Sequence, residues 1–198
     1  MTISIPNRAV VLIYGPSCSG KSTLAEKIIT ETPHTSKGIH SGDQALNEIY
    51  AAHPELAPYS LISMGLIATS AQPPAVLRRL QKEISLLITE MVEAKLQQCD
   101  LLVMDEIRLD PDIVLYNLAM LHVMSHHRPI VLIKMMLADN VYQLFYETRQ
   151  DDRRLPRNLL DAQRKRFDKV GRYNFGSSCS YVAEYIVLDP REISLSFA

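Results

Sequence analysis

Net charge, cysteine and unbroken apolar sequence are all scarce in this chain. Its 198 residues carry 21 Lys and Arg against 22 Asp and Glu, a formal charge of −1. So small an imbalance gives no long-range pull toward nucleic acid or an anionic membrane. The three cysteines, Cys18, Cys99 and Cys179, are odd in number, widely spaced and without metal-ligand spacing. That argues against a disulfide framework or a zinc cluster, and a reduced, cytoplasmic setting is the simplest reading. The most apolar tract, Leu118 to Leu137, is broken by His122, His126, His127, Arg128 and Pro129, so it does not read as a membrane span. The stretch from Met1 to Arg8 is too short and polar for a secretory leader. No repeat, low-complexity tract or linker divides the sequence, and one domain over residues 1–198 is expected, long enough for a full hydrophobic core.

What the chain does have is concentrated at Gly15-Pro16-Ser17-Cys18-Ser19-Gly20-Lys21-Ser22-Thr23, which satisfies G-x-x-x-x-G-K-[ST]. Ala9 to Tyr14 before it is a β-branched apolar run, a buried strand. Lys21 to Glu31 after it carries Leu24, Ala25 and Ile28 on one helical face. Strand, glycine loop and helix together are the context in which backbone N–H groups curl around a phosphate at the positive end of a helix. In that geometry Lys21 reaches the β- and γ-phosphates and Ser22 offers its hydroxyl to Mg²⁺, so a nucleoside triphosphate is the expected ligand. Cys18 lies within the loop, where oxidation would block nucleotide; the plainer reading is a small filling side chain.

Further along, Gly38 to Asp43 reads as a second strand ending in a polar turn, with a helix from Gln44 to Ala52. Prolines 54, 58, 73 and 74 with Gly65 punctuate an irregular stretch. Pro73 and Pro74 suit the first turn of a helix to about Gln98, with Leu77, Leu80, Ile84, Leu87, Ile88 and Met91 as its stripe. Leu101 to Glu106 is a strand ending in two acids, and Asp110-Pro111 a cap and first turn for a helix to about His126. That helix is apolar around much of its circumference, fitting either deep burial or a subunit contact. Ile130 to Met136 and Tyr181 to Leu188 are two more strands, with helices from about Asn140 and from Asn158 to Val170 between them. Five strands alternating with helices predict an α/β fold with a five-stranded parallel sheet covered on both faces. Ligands then lie beyond the carboxyl ends of the strands, where Gly15, Asp43, Asp105 and Glu106 all fall.

The candidate chemistry follows from that convergence. Asp105 is expected to support Mg²⁺ beside the loop, the alternative being a capping or solvated acid. Glu106 has three open roles: the metal's outer shell, an acceptor contact, or activation of water. Asp43 is the candidate base for an acceptor hydroxyl, with an N-cap for the next helix as its alternative. Residues 149 to 172 hold nine Lys and Arg against four Asp. Arg149, Arg153 and Arg154 are spaced to close over phosphates as a lid at about 149–157; otherwise they are a solvated, ion-paired surface. His122 and His126 are four apart, a spacing compatible with metal, but no third ligand is evident and surface residues near a helix end are the expectation. Between Lys37 and Arg78 there is no lysine or arginine, while Tyr50, Tyr59, Leu61, Ile62, Met64, Leu66 and Ile67 occur there. A polynucleotide acceptor would meet cations or stacking platforms, so a small, weakly polar acceptor suits this stretch better; the alternative is that these residues are core.

Taken together, the loop, the Gly42-Asp43 and Asp105-Glu106 strand ends and the arginine tract resemble, in order and over most of the chain, the P-loop kinases that phosphorylate hydroxyl groups. Among these the chloramphenicol phosphotransferase pattern looks closer, with its acid pair resembling Asp105-Glu106 and its glutamine after the lid resembling Gln163; Asp168 stands where that pattern has histidine. The resemblance implies a kinase-type P-loop NTPase fold and ATP- and Mg²⁺-dependent transfer of a phosphoryl group to a small-molecule hydroxyl. It also implies Lys21 and Ser22 on phosphate and metal, Asp43 as base, and Arg149, Arg153 or Arg154 in the lid. Polynucleotide 5′-hydroxyl kinases share the lid pattern, in which Arg149 and Arg153 precede Pro156. A nucleotide-dependent switch or slow NTPase without an acceptor, and a toxin-like kinase acting on a sugar nucleotide, are the other readings.

Overall fold

Each of the five expected strands is present in the computed structural model, which describes residues 1–54, 74–106, 110–149 and 156–197. In chain order the first half holds β1 (Thr2–Ile5), β2 (Val10–Tyr14), α1 (Lys21–Glu31), β3 (Lys37–Ser41), α2 (Gly42–Ala52) and α3 (Pro74–Gln98). The second half holds β4 (Leu101–Glu106), α4 (Pro111–Met124), β5 (Ile130–Met135), α5 (Asp139–Thr148), α6 (Arg157–Arg172), β6 (Val182–Val187), a 3₁₀ turn (Pro190–Glu192) and β7 (Ser194–Phe197).

The main sheet has five parallel strands in the order β3-β4-β2-β5-β6. Its central strands are buried on both sides, which is why they read as continuous apolar runs rather than alternating ones. Alternate residues divide between two layers. Val11, Ile13, Val103, Val131 and Ile133 pack with Leu24, Ala25 and Ile28 of α1. Val10, Leu12, Leu102, Met104 and Leu132 pack with Val92 and Leu96 of α3, Val114 and Leu118 of α4, and Phe167 and Val170 of α6. The Asp110 carboxylate accepts from the Asp112 N–H at 2.9 Å and Pro111 opens the helix, as the cap-plus-proline pair predicts.

A second sheet was not foreseen. β1 and β7 pair in parallel, Thr2 against Ser194 and Ile5 against Phe197, and bury Ile3 and Ile5 completely in the α1-side layer. The alternation T-I-S-I is visible in sequence, but a four-residue strand whose partner lies some 190 residues away gives no local signal. Two boundaries also move. α2 begins at Gly42 with Ser41 at its N-cap, so Asp43 sits in the first turn rather than at a strand end or a cap. α4 stops at Met124, short of His126. It buries Val114, Leu118 and Leu121 while Ile113, Tyr116 and Val123 are exposed, so deep burial does not account for its apolar circumference.

The carboxyl edge of the sheet is held by a buried ion pair. Lys134 of β5 pairs with Glu184 of β6 and donates to the carbonyls of Gly171 (3.1 Å) and Tyr173 (2.8 Å) at the end of α6. Glu184 in turn accepts from the N–H groups of Phe175 (2.7 Å) and Gly176 (3.2 Å). Lys134→Met leaves this carboxylate buried without its counter-charge and is expected to cost about 3–5 kcal/mol in urea unfolding. Arg8→Ala, which breaks the exposed Arg8–Asp100 pair (3.2 Å), is expected to cost about 0–1 kcal/mol. Equal losses in the two variants would contradict the role given to Lys134.

Candidate active site

The loop between β2 and α1 is shaped by two glycines. Gly20 has φ 81°, a left-handed conformation that side chains other than hydrogen resist. A Cβ on Gly15 would sit 2.7 Å from both Met135 Cβ and Ser19 Oγ, closer than atoms can pack. Between them Cys18 also turns left-handed, with φ 60°. The turn delivers the chain into α1 with no side-chain cap and no acid in the first turn. Its leading N–H groups and the positive end of its dipole therefore face the loop with no anionic side chain from their own helix.

Strand order brings the acids to this point. β4 lies directly beside β2, with Asp105 level with Ile13 on one side and with Ser41 of β3 on the other. Alternation along β4 turns Asp105 toward the α1 layer and Glu106 toward the opposite one. The Ser22 hydroxyl donates to Asp105 Oδ2 at 2.6 Å, while Oδ1 is buried with no hydrogen-bond partner among the described residues. Asp105 and Glu106 are both buried. Asp105 and Glu106 thus leave the strand end on opposite faces of the sheet.

Lys21 is the electrostatic centre. Its ammonium donates to the Pro16 carbonyl at 2.9 Å. Desolvation lowers its pKa from 10.5 to about 8, against the raising effects of Asp105 and Asp43 and with a further lowering by Arg149. Asp43, exposed in the first turn of α2, and Arg149, at the end of α5, thus both lie within electrostatic reach of this amine. Arg149 also donates to Cys18 Sγ at 3.4 Å. Gln163 of α6 accepts from the Ser17 N–H at 3.1 Å. Two of the loop's donors are therefore engaged, the Lys21 ammonium by a carbonyl and the Ser17 N–H by an amide oxygen, while the loop's Cys18 thiol accepts from Arg149.

Of the candidate residues, Cys18, Lys21, Ser22, Asp43, Asp105 and Arg149 lie within hydrogen-bond or electrostatic reach of one another. Arg153 and Arg154 lie outside the described residues, as do most of the lid and Tyr59, Leu61, Ile62, Met64, Leu66 and Ile67. Tyr50 packs with Ile49 and Ile84 between α2 and α3, the core reading of that residue. Two cations of the basic tract are also accounted for: Arg164 stacks on Tyr142 and pairs with Asp139, and Arg157 lies over the Tyr146 ring, tying α6 to α5. Sequence reasoning missed Phe145 and Pro190, whose side chains flank Gly20, since neither belongs to a motif.

The depressed Lys21 pKa has a consequence for stability. Between about pH 8 and 10.5 the unfolded chain holds more protons at this group than the folded one, so its contribution to stability rises with pH across that window. Lys21→Met removes the penalty and is expected to be more stable than the parent near pH 7, with the gap closing as pH approaches 10. Urea midpoints across that range measure it; a gap that does not change with pH would contradict the burial of the charge.

No family model matches the chain, and no curated protein matches it in sequence. Solved structures do match in shape. A sugar kinase from Janibacter sp. HTCC2649, in unliganded form, shares 14% identity at a TM-score of 0.54, covering 94% of this chain and 87% of that one. A protein from Chloroflexus aurantiacus J-10-fl, provisionally named a kinase, shares 12% identity at a TM-score of 0.48, covering 94% and 88%. At such identities the likeness to the sugar kinase is one of fold: an α/β domain with a five-stranded parallel sheet between helices.

Proposed function

We propose that the protein is an ATP- and Mg²⁺-dependent phosphotransferase that moves the γ-phosphoryl group to a hydroxyl of a small molecule, in the manner of the chloramphenicol phosphotransferase-like kinases. The observation that carries this reading is the junction of Ser22 and Asp105 at the uncapped start of α1. A buried carboxylate with one oxygen engaged by the Ser22 hydroxyl and the other unpartnered fits a cation ligand, directly or through water. Ser22 and Asp105 would hold Mg²⁺, which when bound supplies positive charge against the β- and γ-phosphate oxygens. A sugar kinase with the same fold is consistent with phosphoryl transfer to a hydroxyl.

In this mechanism the backbone N–H groups of the loop bind the phosphates and fix their orientation. Lys21 leaves the Pro16 carbonyl for the β- and γ-phosphates, and the added negative charge favours its protonated form. Asp43 accepts the proton of the acceptor hydroxyl as its oxygen attacks the γ-phosphorus, from the far side of the bond to ADP. Arg149, with Arg153 and Arg154 of the lid, balances the charge that spreads over the transferring group.

Transfer of ³²P from γ-labelled ATP to a panel of small hydroxylated compounds tests the proposal, with a labelled product expected. Asp43→Asn is expected to lower turnover about 10²- to 10⁴-fold while the Kd for ATP stays within about twofold of the parent. Intact ATP binding with no labelled acceptor, or release of phosphate to water alone, would count against the transferase. Unchanged turnover in Asp43→Asn would remove the base assignment.

A further inference from the structure

At the edge of the sheet away from the phosphate loop, α4 ends in a tight reversal. The His127 N–H donates to the His122 carbonyl at 2.8 Å, and the His126 N–H to that of Val123 at 3.1 Å. His126 and His127 both take left-handed backbone, φ 55° and 63°. Such helix ends usually place glycine there, and each other residue costs about 1–2 kcal/mol. A closure of this kind sets the residues five apart side by side, commonly in apolar contact. Here the two side chains are imidazoles, and His127 Nδ1 lies 3.1 Å from His122 Nε2.

The rest of the geometry fixes the inner ring. His122 is stacked on Tyr181, ring centroids 3.8 Å apart and planes 10° from parallel. Its Nδ1 lies 3.4 Å from the Arg128 carbonyl oxygen. A carbonyl oxygen can only accept, so Nδ1 carries the hydrogen and Nε2 presents its lone pair to His127. Histidines that bind metals are held in the same way, the outer nitrogen donating to a backbone carbonyl. Two nitrogens about 2.1 Å from one ion and 3.1 Å from each other subtend an angle of about 95° at it, within the range that such ions accept. The carboxyl end of α4 adds the partial negative charge that favours a cation.

We propose that His122 Nε2 and His127 Nδ1 form a binding site for a borderline divalent transition ion of the Zn²⁺ or Ni²⁺ class. His127 frees its Nδ1 lone pair by carrying its hydrogen on Nε2, so binding consumes no proton. Water fills the remaining positions, since no group of three or more His, Cys, Asp or Glu that could hold a metal occurs among the described residues. The site is separate from the catalytic one in place and in chemistry: imidazole nitrogens suit these ions, whereas carboxylate and hydroxyl oxygens suit Mg²⁺. His126, paired with His122 by sequence spacing, takes no part; it lines a cleft of about 510 Å³ with Arg8, Glu93 and Gln97.

The test is calorimetric titration of Ni²⁺ into protein free of any polyhistidine tag, with Mg²⁺ in excess. One equivalent is expected to bind, with His122→Ala or His127→Ala weakening binding at least tenfold and His126→Ala changing it less than twofold. Equal affinity in the parent and His127→Ala, or equal losses in His126→Ala and His127→Ala, would overturn the site. His127 is exposed, so its replacement leaves the core intact. On the unaltered protein, Zn²⁺ is expected to shift the ring resonances of His122 and His127 and to leave those of His34, His40, His53 and His126 in place; uniform shifts would overturn the site equally.

Discussion

The hydrogen bond from Ser22 to Asp105 joins the first turn of the helix after the loop to the end of the neighbouring strand, and the arrangement of the crevice depends on it. It can form only because β4 is next to β2. Adjacent strands lie about 4.8 Å apart, so one intervening strand would put the Asp105 carboxylate roughly another 5 Å from Ser22. Sheet order therefore decides whether Ser22 and Asp105 meet. It is secured by apolar residues on both faces of β2, β4 and β5 and, at the carboxyl edge, by the Lys134–Glu184 pair.

Around that bond several charges lie close together, with Asp105 buried, Lys21 half-buried and Asp43 exposed. A half-buried lysine, an arginine and two aspartates act on one another at the open end of a helix. The desolvation that depresses the Lys21 amine is what a triphosphate would relieve, since it brings negative charge to the same place. The Pro16 carbonyl engages the Lys21 ammonium, Gln163 engages the Ser17 N–H, and Cys18 engages Arg149. On the proposed reading a triphosphate would exchange these partners for phosphate oxygens rather than create every contact anew, which would limit the cost of leaving polar groups unsatisfied.

Most of the main sheet was legible because its strands are buried on both faces and announce themselves as apolar runs. Helix starts were legible where a local rule governs them, as at Asp110-Pro111, and less so at α2, where Ser41 rather than Asp43 proved to be the cap. The loop could be read because its shape needs glycine at Gly15 and Gly20, for close packing and for positive φ. What could not be read was non-local. β1 and β7 are short strands from opposite ends of the chain, and no spacing rule links Phe145, Pro190 or the Gln163 side chain to the loop. The contact between His122 and His127 was hidden for a similar reason: the helix ends at Met124, and the reversal after it brings His127 against His122.

Calorimetry of ATP binding with and without Mg²⁺, on the parent and on Asp105→Asn, tests the central claim most directly. The account predicts tight Mg·ATP binding by the parent, and in Asp105→Asn a loss of the part of that affinity that depends on Mg²⁺, with metal-free ATP binding retained. No uptake of Mg·ATP by the parent, or a Mg²⁺ dependence that survives in Asp105→Asn, would contradict it.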